Sequence, residues 1–229
     1  MLNIKKIIVN YLIRITLIMV IVVLCVCLLA YVLNEQRKAQ LDSEAIFSQI
    51  EHILAQNQTE LSEIKEEYSR TCLHNAEAIA DFLQNNPSAI DSVEELRKIA
   101  GYIEVDEIHI FDKTGRIFTG THPEYYNLTF DSGEQIGFFK SMLQDKSLKL
   151  VQDIAPNTAE GKLMQYSAIW SENGEFIVQV GMEPVNVMKV TEKNELSYIF
   201  SLLKANTGVT LYAIDTQSGE IKGSTSLEN

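Results

Sequence analysis

The sequence predicts an α+β chain: an N-terminal transmembrane helix continuing into a long stalk helix, then antiparallel sheet. Three observations carry this. Residues 15–33 contain no charge, proline or glycine. Residues 36–83 contain no proline or glycine and hold an apolar stripe of helical period. Beyond Pro87 come short β-rich runs separated by turn signals.

The apolar run comes first. At 1.5 Å per residue, residues 15–33 span ~28 Å, close to the hydrocarbon core of a bilayer. Residues 7–13 extend it behind Arg14, whose long side chain reaches the interface. Tyr11 and Tyr31 suit the two interfacial belts. The run exceeds the hydrophobic region of a cleaved signal peptide, and no small-x-small cleavage site follows, so it reads as an anchor in the lipid bilayer. Lys5, Lys6 and Arg14 precede it; Arg37 and Lys38 follow, offset by Glu35. The positive-inside rule then favours a single-pass cell-membrane protein with a cytoplasmic N-terminus and the bulk of the chain outside.

The formal net charge is −12, and thirty of the 31 acidic residues but only fourteen of the 19 basic ones fall after Lys38. So acidic a surface repels phosphate backbones, which sets nucleic-acid binding aside. Cys25 and Cys27 lie inside the apolar run and read as packing residues. Cys72 is the only cysteine after the apolar run, so it has no partner there for an internal disulfide; it is a buried thiol or an intermolecular bridge.

The stripe in the second segment runs Ile46, Ile50, Ile53, Leu61, Ile64, Tyr68, Cys72, Ala76, Ile79, Phe82, with Asn57 in one slot. Its step is about 3.6 residues, that of a nearly straight helix rather than a supercoiled one. Such a helix is ~72 Å long, too long to be covered by one small domain. The first half is expected to pair with a second copy as a homodimer, and the second half to pack on a domain. Asn85-Asn86-Pro87 ends it.

A compact unit follows. Ser92-x-x-Glu95 reads as a capping box for a short helix. Residues 105–111 and 116–121 are strands joined at Asp112-Lys113-Thr114-Gly115, and 122–128 is a loop with two tyrosines. Asp131-x-x-Glu134 is expected to cap another short helix. Residues 148–154 form a third strand, and 155–161 a polar loop. Residues 163–170 and 176–182 are strands joined across Asn173-Gly174. Five antiparallel strands with helices and loops on one face make a PAS-like unit. The pattern then restarts: an amphipathic helix over 195–205, strands at 209–214 and 221–225, and a turn around Gly219. VDEIHIFDKTGRIFTGTHPE and VTLYAIDTQSGEIKGSTSLE share Val, Ile, Gly, Ile, Thr and Glu in register. Two strands make no stable core alone, so this is the start of a second PAS-like unit. The expected divisions are 1–34 tip and anchor, 35–87 stalk, 88–190 first unit and 191–229 incomplete second unit.

An anchor, a long helix and tandem PAS-like units resemble the double Cache ectodomains of bacterial receptors. The stretches VDEIHIFDKTGRIFTGTHPEYY, FDSGEQIGFF, QDIAPNTAEGKLMQYSAIW and FIVQVGMEP carry the resemblance, which covers residues 76–229. It implies an extracytoplasmic sensor placed ahead of a diguanylate cyclase (GGDEF) or histidine kinase module, with the membrane-distal unit binding the ligand. The Arg-x-Trp-Tyr pattern of amino-acid-binding members is absent; Trp170 stands in Ala168-Ile169-Trp170-Ser171.

The chain reads as a non-enzyme. GxSxG, HExxH, CxxC and P-loop patterns are absent, and His52, His74, His109 and His122 share no metal-ligand spacing, so no cofactor or metal is expected. Asp153 and Glu160 flank a loop and make no acid–base pair. Alternation on the strands puts Met164, Tyr166, Ala168 and Trp170 on one face, where Tyr166 and Trp170 are core or pocket. Gln152 and Gln179 interrupt apolar faces, and His109 is either a core histidine or a pocket residue. Tyr125 and Tyr126 lie in the loop that closes over the sheet. The expected ligand-binding residues are therefore Tyr125, Tyr126, Gln152, Tyr166, Gln179 and His109, around a small polar molecule. A receptor input is one reading; an anchored solute-binding or adhesion scaffold is the other. A second apolar run and a catalytic module after Asn229 separate the two.

Overall fold

The computed structural model describes residues 2–203 and 210–225. Two compact units divide between Ala55 and Gln56. Helix α1, Leu2–Asn85, runs unbroken through the boundary. In the first unit the apolar side chains from Ile7 to Leu33 are exposed, and one stretch is long and apolar enough to cross a membrane.

The second unit is α+β. After α1 come a 3-10 turn at Pro87–Ala89 and helix α2, Val93–Ile103. Strands β1 (Glu107–Phe111) and β2 (Ile117–Gly120) form a hairpin. A crossing segment follows, with a turn at Pro123–Tyr125, helix α3 (Glu134–Gly137) and a 3-10 continuation to Leu143. Strands β3 (Lys149–Val151), β4 (Ala155–Pro156), β5 (Leu163–Trp170) and β6 (Ile177–Met182) complete the sheet. Its order is β2-β1-β6-β5-β3, with β4 beside β5, and every pairing is antiparallel. Gly174, at φ +67°, makes the β5–β6 turn that the Asn173-Gly174 pair predicts.

Period-2 alternation gives the sheet two faces. Ile108, Ile110, Ile169, Val178 and Val180 form one core with Cys72, Ala76, Ile79, Ala80 and Leu83 of α1 and Leu96 and Ile99 of α2. Phe111, Met164, Tyr166, Ala168, Trp170 and Ile177 form the other, beneath Tyr125, Phe130, Ile136, Phe139 and Met142 of the crossing segment. The helix face matches the expected stripe except at its end: Phe82 is 40% exposed and Leu83 is fully buried. At about 100° per residue, Leu83 falls in line with Cys72, Ala76 and Ile79, whereas Phe82 falls well to one side.

Several local expectations shift. The Ser92 hydroxyl accepts from the Glu95 N–H, but the Glu95 carboxylate turns to Lys98, so only half of the capping box forms. Gly133, not Asp131, occupies the N-cap of α3; Asp131 pairs with Lys140 instead. The third strand is three residues long, because the chain leaves the ladder after Val151 and bends at Ile154 before β4 rejoins β5. Cys72 is fully buried, its thiol against the Gln165 and Val180 carbonyls at 3.7 Å, which leaves no route to an intermolecular bridge in the folded unit.

Helix α4, Val185–Glu192, is absent from the sequence reading because only Val187 and Val190 mark its buried side. Helix α5 (Leu196–Leu202) and the hairpin β7–β8 (Tyr212–Ile214, Ile221–Ser224) follow. The expected helix end at 204–205, the first strand residue Val209 and the tail 226–229 lie outside the described residues.

Candidate functional site

The sheet face turned away from α1 carries a run of polar side chains that a plain core would not tolerate. Alternation places Glu107 and His109 of β1, Gln179 of β6 and Tyr166 of β5 on this face, and all four are buried. His109 and Gln179 are register partners. From the crossing segment come Tyr125 and Asn157, also buried, with Gln135 and Thr158 half-buried beside them.

These groups line a partly open cavity of about 20 Å³. Its walls include His109, Tyr125, Asn157, Tyr166 and Gln179, with Ile117, Leu128 and Ile136 as the apolar part. Glu107 anchors the polar side. Its Oε2 accepts from Tyr166 Oη at 2.6 Å and lies 3.0 Å from His109 Nε2. Burial raises the Glu107 carboxyl, but the His109 and Tyr166 hydrogen bonds and the imidazole charges outweigh it and hold the group below the usual carboxylate range. Burial, then the Glu107 charge, pushes the Tyr166 phenol up. Burial and the Glu160 and Glu107 carboxylates do the same to Tyr125.

Two polar atoms on the cavity wall, His109 Nδ1 and Gln179 Nε2, have no hydrogen-bond partner; Tyr125 Oη and Asn157 Nδ2 have no close one, though the Glu160 carboxylate acts on Tyr125 and Asn157 acts on Tyr166. Leaving such a buried group unpaired costs about 1–3 kcal/mol, so His109 Nδ1 and Gln179 Nε2 call for a partner in the cavity, a water or a small molecule. Asn157 is fixed by its own turn: its Oδ1 accepts from the Glu160 and Lys162 N–H groups, which turns the amide nitrogen away from that turn.

Of the six residues expected to bind ligand, Tyr125, Tyr166, Gln179 and His109 line the cavity and Tyr126 and Gln152 do not. Tyr126 donates to the Gly120 carbonyl at 3.2 Å and braces the loop against β2. Gln152 exchanges hydrogen bonds with Gln135, whose Oε1 in turn accepts from Thr158. It therefore supports a lining residue from behind. Trp170 is core, with Nε1 donating to the Met142 carbonyl and Lys146 over its ring at 4.5 Å. Sequence reasoning missed Glu107, Asn157, Gln135 and Thr158. For Glu107 the signal was present, since it shares the strand face of His109 two residues on. The others come from an irregular segment whose register no periodicity fixes.

No family profile matches the sequence, and no curated protein matches it. Solved structures similar to it include the sensory domain of the Campylobacter jejuni chemoreceptor Tlp3 with isoleucine bound, at 12% identity, covering 80% of this chain and 74% of that one, with a TM-score of 0.43. The sensor domain of the Vibrio cholerae histidine kinase DctB is similar at 11% identity, 80% and 68% coverage, and a TM-score of 0.44. An extracellular ligand binding receptor from Desulfohalobium retbaense is similar at 16% identity and a TM-score of 0.42; the match covers 64% of this chain and 27% of that one. These neighbours are sensory or ligand-binding domains.

Proposed function

We propose that the chain is the membrane-anchored, extracytoplasmic sensory part of a bacterial receptor of the Cache class, and that the cavity on the sheet holds its small-molecule signal. One observation carries this: buried polar side chains of His109, Tyr125, Asn157, Tyr166 and Gln179 converge on one cavity, where His109 Nδ1 and Gln179 Nε2 lack a partner. It lies on the sheet face opposite the long helix, which is the element able to carry a change of sheet packing toward the membrane. The exposed apolar run of 7–33 supports the anchor. In this reading the chain does no chemistry, and a cytoplasmic module of the diguanylate cyclase or histidine kinase kind supplies the output.

The test is a thermal-shift screen of the full chain in detergent micelles against small polar metabolites. A ligand that binds only the folded state raises the melting temperature as its concentration rises. The shift is expected to disappear in Asn157→Leu and Gln179→Leu. A shift that survives both substitutions puts the ligand elsewhere.

A further inference from the structure

We propose that a series of hydrogen bonds through Gln152 and Gln165 links the cavity wall to Ser69 of the long helix, so that a displacement on one face of the sheet is carried to the other. Its use as a signal path rests on the cavity being the ligand site; the link itself does not.

The two cores lie on opposite faces of the sheet, and the apolar contacts within each have no preferred direction. The polar contacts do. Gln135 and Thr158 line the cavity. Gln135 Oε1 accepts from the Thr158 N–H at 3.3 Å and from the Thr158 hydroxyl at 3.2 Å. Gln135 Nε2 donates to Gln152 Oε1 at 3.0 Å, and Gln152 Nε2 donates back to the Gln135 carbonyl at 3.1 Å. Gln152 sits just past the end of β3, where its N–H still donates to the Tyr166 carbonyl at 2.8 Å. Its own carbonyl accepts from Gln165 Nε2 at 3.1 Å. Gln165 alternates with Tyr166 along β5 and so faces the long helix, where the same Nε2 donates to Ser69 Oγ at 2.7 Å. The bonds thus pass from the cavity to α1 around the end of β3.

This link has no slack. An amide nitrogen carries two hydrogens, and Gln165 uses both, one on α1 and one on the sheet edge. Its side chain is buried, and its Oε1 has no partner. A bare buried oxygen is unfavourable, so packing does not explain a glutamine here, whereas its two donor bonds do. If Gln152 moves, Gln165 either follows or leaves a second buried group unpaired, because a hydrogen bond weakens steeply as it is misaligned. Both responses reach Ser69. The next turn of α1 is tied down separately, since Ser167 Oγ donates to the Cys72 carbonyl at 2.7 Å. A pull through Gln165 therefore falls on a short stretch of the helix beside Ser69.

The experiment is backbone hydrogen exchange, read by mass spectrometry, on the full chain in lipid nanodiscs without ligand. Gln135→Met removes the side-chain amide at the cavity end and keeps the length. It is expected to speed exchange of the α1 amides 69–73 about fivefold, the effect of losing about one hydrogen bond, and to leave amides 79–83 unchanged. Those lie against the same sheet and are the internal control. In a Ser69→Ala or Gln165→Met background the same substitution should add nothing at 69–73, whereas Ser69→Thr, which keeps the hydroxyl, should behave as the parent. A polar seal without a link would confine the loss at Gln135 to the cavity side. No change at 69–73, an equal change at 79–83, or an effect that survives Ser69→Ala overturns the proposal. If Gln135→Met or Gln165→Met does not fold, Thr158→Val compared with and without Ser69→Ala decides, since alanine is the best helix former. A metabolite shift that Gln179→Leu abolishes leaves the ligand site standing whatever the exchange shows.

Discussion

Tyr166 Oη reaches Glu107 Oε2 at 2.6 Å across an intervening strand. The contact is possible because Gly181 of β6 is the register partner of both residues, Glu107 on one side and Tyr166 on the other. Without a side chain at 181, the tyrosine ring lies flat over the strand. A Cβ there would stand 2.5 Å from Tyr166 Cε1 and 3.2 Å from Glu107 Cβ. One glycine thus lets the phenol of an inner strand organise the carboxylate of another.

Gly181→Ala is therefore expected to push the Tyr166 ring off Glu107 and to destabilise the unit. Both neighbours are buried. Overpacking of this kind costs about 1–3 kcal/mol. Urea unfolding should show a lower midpoint at unchanged slope. Gly101→Ala is the control: it sits within α2 with nothing within 4 Å of its would-be Cβ, so it should be neutral or stabilising.

The Glu107 cluster also predicts an acid limb. The folded carboxyl lies below its ordinary 4.5, so the unfolded chain binds that proton first as pH falls. Stability from this group is present above pH 4.5 and is lost as pH drops through the lower folded value. Glu107→Gln should lower stability at pH 7 by about 1.5–3 kcal/mol, the range for a buried hydrogen bond to a charged group. It should also flatten the fall below pH 4.5. Exposed carboxylates such as Asp145 and Glu175 are also held low, but they contribute equally to both proteins. A difference curve with no pH dependence in that range refutes the assignment.

The strands were legible because their signals are local. Alternation in 163–170 and 177–182, and the Asn173-Gly174 turn, need only neighbouring residues. Helix α1 was legible for the same reason, since Cys72, Ala76 and Ile79 keep one period. The cavity was half legible. His109, Tyr166 and Gln179 follow from strand parity, but which of two adjacent tyrosines turns inward does not. The 3-10 turn at Pro123–Tyr125 buries Tyr125 and leaves Tyr126 bonded to Gly120. Gln152 keeps its backbone bond to Tyr166, but its side chain is taken by Gln135 from the crossing segment, which no strand pattern shows, and Asn157 depends on a turn closed by its own side chain.

Cys72 gives a test of membrane sidedness that the packing makes clean. Burial pushes its thiol up to about 11, so the reactive thiolate is scarce at neutral pH, and the folded core shields the sulfur. An impermeant maleimide added to intact, wall-stripped cells should leave Cys72 unlabelled until urea unfolds the unit, and should then label it without breaching the membrane. Labelling that needs a permeabilised membrane as well as urea places the unit on the cytoplasmic side.

Pairing of the long helix is best tested away from Ile50, which is only 8% exposed. Phe47 is 67% exposed, and Leu41 56%. Fully burying a phenylalanine is worth about 1.5–3 kcal/mol per copy, so two helices gain most by meeting at Phe47. In a chain with Cys25→Ala and Cys27→Ala, Phe47→Cys is expected to form a disulfide-linked dimer under mild oxidation in nanodiscs. Gln49→Cys is the matched control, since two residues on, the side chain points about 200° away around the helix. Cross-linking at 47 well above that at 49 supports a parallel homodimer through this stretch. Equal yields at both positions mean random collision, and the exposed phenylalanine then has no partner in a second copy of this helix.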